Sequence, residues 1–224
     1  MQRIRPKFSE QVIHVMSRAV EGKTLFQTHE EYAYFTSLLS ISIQKYKLRL
    51  LEWVLMPNHW HLLLWPKTNY QVPECMRWLK STHAKSIRQR TGTVGKGAVY
   101  QGRYRSTFIE PGLSLNRLRN YLAMNPVKAT LINHPAAWKW GSAARLLHPN
   151  NIADIDLSKG PLPFPNNMRH ILLDPMYLNP EQKIVLENAL RKENPYGSPN
   201  WQATICDTYD VPLRAGAIGR PRKH

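Results

Sequence analysis

Residues 48–65, L-R-L-L-E-W-V-L-M-P-N-H-W-H-L-L-L-W, are apolar almost throughout and are broken once, by Pro57-Asn58. Two apolar runs of strand length joined by a turn-forming pair predict a β-hairpin, with strands over 48–56 and 59–65. Side chains alternate across a strand, so His59 and His61 share one face while Trp60 takes the other. Two same-face imidazoles beside a turn make half of a metal site; a pair of surface strand histidines is the plainer alternative.

The flanking segments extend this hairpin into a fold. Residues 11–20 (Q-V-I-H-V-M-S-R-A-V) are rich in β-branched side chains and predict a first strand. Thr28 followed three positions later by Glu31 has the pattern of a capping box, and Tyr32, Phe35, Leu38, Leu39 and Ile43 fall on one face of a helix running to about Lys45. A second helix is expected around Pro73, which suits a first turn, with Met76, Leu79, His83 and Ile87 inward, ending near Arg90. The glycine-rich run T-G-T-V-G-K-G breaks the chain before Val99 to Glu110, whose Y-R-S-T-F-I-E end predicts a fourth strand. The order β-α-β-β-α-β predicts an α+β, ferredoxin-like antiparallel sheet with both helices on one face. A third helix is expected over about 114–124, ending at Asn125-Pro126.

Beyond Pro149 the character changes. Residues 150–165, N-N-I-A-D-I-D-L-S-K-G-P-L-P-F-P, are proline-rich and acidic for this chain, as in a linker or lid. A short helix over about 179–191 follows, with Pro180 in its first position. Two regions are therefore expected, a main domain over 1–149 and a C-terminal extension over 150–224 that ends in a basic tail.

Charge narrows the class of partner. Lys and Arg number 31 against 15 Asp and Glu, a formal charge of +16 and a pI near 10.1. Such an excess favours a polyanion, because neutralising phosphates releases condensed counterions. No acidic residue occurs between Glu74 and Glu110, a stretch holding Arg77, Lys80, Lys85, Arg88, Arg103 and Arg105 as candidate phosphate contacts. Trp78, Tyr100 and Tyr104 lie among them and suit unstacked bases, or else the core. In the tail, Gly219-Arg220-Pro221 has the core of an AT-hook, which makes Arg220 and Arg222 candidate DNA contacts. Cys75 and Cys206 form no zinc or disulfide pattern, and no run approaches the ~20 apolar residues of a membrane span, so a reducing cytoplasm is expected.

A helical pattern over R-N-Y-L-A-M-N-P-V-K sets Tyr121 and Asn125 on one face. Asn125 would add a side-chain oxygen to the two imidazoles, and the mixed N and O set does not choose a metal by itself. A tyrosine beside such an ion can attack a phosphate. His14, in the first strand, is expected near the third strand in a packing role.

These residues carry a resemblance. M-P-N-H-W-H-L-L-L resembles the HUH motif (His, bulky hydrophobe, His) of the IS200-type single-tyrosine transposases. Y-L-A-M-N-P-V-K-A-T-L resembles their nucleophile helix, and I-H-V-M-S-R, V-Y-Q-G-R-Y-R-S-T and A-A-W-K-W-G-S are similar to further family runs in the same order. The C-terminal N-P-Y-G-S-P-N-W and I-G-R-P-R-K resemble the tails of REP-associated tyrosine transposases, relatives that act on repetitive extragenic palindromes. The resemblance implies Tyr121 as nucleophile, His59, His61 and Asn125 as ligands of Mg²⁺ or Mn²⁺, and a single-stranded DNA hairpin as substrate. It further implies cleavage and rejoining through a 5′-phosphotyrosine, a cytoplasmic, nucleoid-associated bacterial setting, and a monomer rather than the dimer of the insertion-sequence members. One departure stands out: where the family commonly has V-R-A-G, this chain has Val127-Lys128-Ala129-Thr130. Two other readings of the same residues remain open, a non-catalytic hairpin-binding protein and a hydrolytic metallonuclease in which Tyr121 merely packs.

Overall fold

The apolar hairpin forms the middle and one edge of the sheet. In the computed structural model, which describes residues 10–147 and 155–215, β2 (Arg49–Met56) and β3 (His59–Trp65) pair antiparallel around Pro57-Asn58. β1 (Ile13–Arg18) lies against the other side of β3, and β4 (Arg105–Phe108) against β1, giving the order β2-β3-β1-β4. This is the ferredoxin-like antiparallel sheet that the element order predicts. Arg220 and Arg222 lie outside the described residues.

Strand alternation sends the two faces to different partners. Ile13, Val15, Trp53, Leu55, Trp60, Leu62 and Leu64 point to one side and pack with Phe35 and Leu39 of α1 (His29–Lys45) and Met76 and Leu79 of α2 (Gln71–Arg90). The opposite side presents Val54, Met56 and Leu63 to Leu115, Leu118 and Leu122 of α3 (Leu113–Lys128). The two expected helices thus share one face, and the third covers the other.

Three local expectations need correction. Thr28 is the N-cap of α1, but its side chain makes no cap bond; the Glu31 carboxylate accepts from the Gln27 N–H at 2.5 Å and pairs with Arg90 instead. The fourth strand is shorter than the Y-R-S-T-F-I-E run, because only Arg105–Phe108 lies in register with β1. The third helix does not stop at Asn125-Pro126 but runs to Lys128 with Pro126 inside it. Proline removes one helical N–H without forbidding its own helical φ, and the turn is closed by later bonds. Ala129 N–H reaches Asn125 O, Thr130 N–H reaches Val127 O and Leu131 N–H reaches Pro126 O, a Schellman arrangement.

The segment beyond 155 covers both edges of the sheet, where unpaired backbone groups would otherwise invite association. On the β2 side Ser158 N–H donates to Leu50 O at 2.7 Å, and the preceding A-A-W-K-W-G-S run adds Leu55 N–H to Trp140 O and the Trp138 indole N–H to Leu55 O. A Cβ on Gly141 would stand 3.3 Å from Val54 Cγ2, so glycine admits this close approach. On the β4 side Tyr196 N–H donates to Phe108 O and its carbonyl accepts from Glu110 N–H. Of the remaining helices, α4 (Ser142–Leu147) follows the tryptophan run and α5 (Met168–Leu173) meets α3. α6 (Pro180–Lys192) starts at the expected Asn179-Pro180 with a complete capping box, and α7 (Pro199–Tyr209) ends against Phe108. No helix among the described residues is long and apolar enough to cross a membrane.

Candidate active site

The face covered by α3 is the face that carries the histidines. His59 stands across from Arg18 and His61 across from Met16, while Met16 in turn faces Arg105 on β4. The His59 and His61 rings meet edge to face with centroids 4.9 Å apart. His61 is buried, and its Nε2 has no hydrogen-bond partner. Its Nδ1 lies 2.8 Å from Nε2 of His14, a buried neighbour on β1, and the Nδ1 of His59 lies 2.6 Å from the Asn58 side-chain oxygen. Burial dominates the protonation of all three rings: it holds His14 down to about 3 and His59 to about 4, with His61 also well below the usual imidazole range. These imidazoles are therefore neutral at physiological pH, the form that can donate a lone pair to a metal.

Helix α3 brings the remaining two groups. Its Tyr121 ring sits edge-on to His61 with centroids 6.3 Å apart. One turn on, Asn125 donates through Nδ2 to the Tyr121 carbonyl at 2.9 Å, which leaves its side-chain oxygen as the free end. Burial, helped by Glu187 on α6, pushes the Tyr121 phenol up to about 12. The Lys128 ammonium lies 5.3 Å from the centre of the same ring, and burial and Lys183 lower its pKa. The phenol, unlike a core tyrosine, thus has charged neighbours of both signs.

What holds α3 to the sheet is partly polar. Arg119 Nε lies 2.7 Å from the Glu52 carboxylate of β2, with both side chains about 2% exposed. Phe164 covers the guanidinium with its ring centroid 4.8 Å away. Asn120 Nδ2 donates to the carbonyls of Ile171 and Asp174 at 2.8 Å each. The expected linker over 150–165 is, in its described part, a strap across this pair rather than a free connection.

The candidate phosphate contacts divide into two groups. Arg77 pairs with Glu74; Lys80 donates to Gly102 O at 2.9 Å over the Tyr100 ring, with burial lowering it to about 8; Arg88 braces the glycine-rich loop through Gly97 O at 2.5 Å. Lys85 and Arg103 are exposed, and Arg105 is half-buried on the histidine face. Tyr100 is buried, and Trp78 and Tyr104 pack against the helix-side core, so the aromatic interleaving is largely core. Sequence reasoning overlooked Arg18, Lys128 and Glu187. Arg18 was accessible to it, because antiparallel register pairs the end of the first strand with the start of the third; Glu187 was not, since nothing local ties α6 to α3.

The donor set fits a divalent cation on one structural ground: a buried, neutral imidazole nitrogen without a partner. No group of three or more His, Cys, Asp or Glu side chains suited to a metal occurs among the described residues.

The sheet thus carries an H-x-H pair on one face, with the helix that bears Tyr121 docked over it. The family model of the IS200-like transposases matches residues 7–125, more than half of the chain, and the protein belongs to that family. Its fold is shared with a solved REP-associated tyrosine transposase bound to a REP hairpin, with a TM-score of 0.54 and 16% identity over 74% of this chain and 99% of that one. No curated protein matches.

Proposed function

We propose that this transposase-family chain cuts and rejoins single-stranded DNA at a hairpin through a covalent bond to Tyr121. The observation that carries the reading is the docking of α3 on the histidine face, which sets the Tyr121 ring beside His61. His59, His61 and Asn125 would hold a divalent ion, Mg²⁺ or Mn²⁺ by the family resemblance, since the mixed N and O donors do not choose between metals. Such an ion, when bound, supplies Lewis-acid polarisation of a phosphate oxygen.

The chain's own residues do the rest. Tyr121 Oη attacks the phosphorus, its proton leaves, a Tyr–O–P bond forms and the bond from phosphorus to the 3′-oxygen breaks; that oxygen takes up a proton and departs as a 3′-hydroxyl. Attack by a 3′-hydroxyl on the phosphotyrosine reverses the sequence, so no nucleotide cofactor is consumed. Because burial holds the phenol near 12, little is ionised at neutral pH, and a nearby cation must favour the phenolate. Lys128, at the same ring, supplies positive charge there.

Hairpin DNA is the substrate we favour, because the REP-associated neighbour of the same fold is bound to one. Arg18 and Arg105, on the histidine face, and the exposed Lys85 and Arg103 are candidates for its backbone, with Arg220 and Arg222 in the tail. The bonds from Asn120 to the chain's own extension support a monomer using its tyrosine in cis.

Incubation with an end-labelled single-stranded hairpin and Mn²⁺, followed by denaturation, tests the proposal. A covalent protein–DNA adduct is expected, lost by at least ~10³-fold in Tyr121→Phe while hairpin binding stays within about threefold. Cleavage without an adduct would indicate a metallonuclease, and binding alone a non-catalytic protein.

A further inference from the structure

We propose that His14 is a positioning residue of the metal centre: its Nε2 accepts the Nδ1–H of His61 and so holds His61 in the tautomer whose Nε2 carries the lone pair. The inference rests on the ligand set above. The sequence alone suggests only packing for this side chain, yet the two rings are joined nitrogen to nitrogen at 2.8 Å and stack with centroids 5.0 Å apart. Both are buried, at 3% and 4% exposure, so no bulk water competes for the contact.

Hydrogen counting decides which ring donates. A neutral imidazole carries one N–H, and the contact between two such rings admits one hydrogen. If His61 donates it, Nε2 of His61 is a bare acceptor; that atom is buried and has no partner in the protein. If His14 donated it, His61 would bear its own hydrogen on Nε2, burying a donor with nothing to receive it, at a cost of roughly 1–3 kcal/mol. The first arrangement leaves on Nε2 a lone pair that a cation can take up. His59 repeats the logic independently, its Nδ1 facing the Asn58 oxygen at 2.6 Å, which leaves its Nε2 as the electron-pair donor. Two ligands on one strand are thus set to the same tautomer by different acceptors, one from the turn and one from β1. In the register of β4, Thr107 stands directly across from His14, and its buried hydroxyl has no hydrogen-bond partner. Outer acceptors of this kind fix ring orientation and tune ligand basicity.

Long-range ¹H–¹⁵N spectra of the wild-type, metal-free chain should show His61 protonated at Nδ1 and bare at Nε2. Mn²⁺ titration followed by electron paramagnetic resonance should then give a Kd raised about 10–100-fold in His14→Phe, which keeps a ring in the space, with recovery to within about threefold in His14→Gln, whose side-chain oxygen can accept the same hydrogen. A His61 bare at Nδ1, or a His14→Phe chain that binds Mn²⁺ as the wild type does, would overturn the inference while leaving the metal site standing. A wild-type chain that binds no Mn²⁺ would instead remove the metal site itself, and this inference with it. The spectrum of the wild-type protein decides the tautomer even if a variant fails to fold.

Discussion

At the residue scale, the function turns on whether a side chain is free or already engaged. Lys85 and Arg103 are exposed, whereas Arg77 is held by Glu74 and Arg88 by the Gly97 carbonyl. Each free cation that neutralises a phosphate of single-stranded DNA contributes about 0.7 to the slope of log affinity against log salt. Lys85→Ala and Arg103→Ala are expected to lower that slope by about this amount each, and Arg77→Ala by less than half of it, as read by binding titrations from 50 to 300 mM salt. Composition identified the one-sign stretch but could not separate these residues, because engagement depends on carbonyls that the glycine-rich loop brings back to α2. The H-x-H and Y-x-x-x-N spacings were legible because strand and helix periodicity place them. The His14–His61 contact was not, since its partners are 47 residues apart and meet only through strand order.

At the element scale, α3 shows how a family departure becomes a physical one. The glycine missing from Val127-Lys128-Ala129-Thr130 falls at Thr130, which adopts φ +56° as the left-handed residue of the Schellman turn. A β-branched residue is strained there and glycine is not. Thr130→Gly is expected to stabilise the chain by about 1 kcal/mol, seen as a raised midpoint in urea with an unchanged slope. The Arg119–Glu52 pair makes the opposite case. Removing one member of a buried pair leaves an uncompensated charge, so Arg119→Met should cost about 3–5 kcal/mol, and the double change Arg119→Met with Glu52→Met much less. Adduct formation should fall with the single change, because α3 is tied to the sheet through this pair. Helix existence was readable from apolar spacing; its end at Lys128 rather than Asn125 was not, because proline is a stop signal that a closed Schellman turn overrides. α4, α5 and α7 escaped the sequence reading because they are short and gain their stability from packing on elements already formed.

At the scale of the whole molecule, the extension and the sheet act as one hydrophobic body. Leu186, Leu190 and Tyr196 join the α3 side, while Ile155, Ile205 and Val211 join the other. Buried histidines give this body a characteristic acid response. His83, bonded to the Tyr100 hydroxyl at 2.6 Å, is held by burial at about 3, as His14 is, and His59 at about 4. Their folded values lie below the unfolded value of about 6.5, so the unfolded chain binds more protons between these limits and stability falls as pH drops below 6.5. Each is expected to cost roughly 1 kcal/mol between pH 6.5 and 5.5. Glu52, pushed up to about 7 by burial against the pull of Arg119, acts in the reverse sense over the same range and offsets one of them. Urea unfolding at pH 7.5 and 5.5 should show a net loss that is smaller in His83→Phe. The pattern of neutral imidazoles was invisible in composition, where nine histidines in a basic chain say nothing of burial.

The proposed chemistry reduces to a covalent bond from the Tyr121 oxygen to a DNA phosphate. After reaction with a single-stranded hairpin and Mn²⁺, nuclease trimming and tryptic digestion, mass spectrometry of peptide 120–128 tests it directly. This peptide is expected to carry the mass of a deoxynucleotide 5′-phosphate on Tyr121. Cleaved DNA accompanied by an unmodified peptide 120–128, or by the nucleotide on another residue, would contradict it.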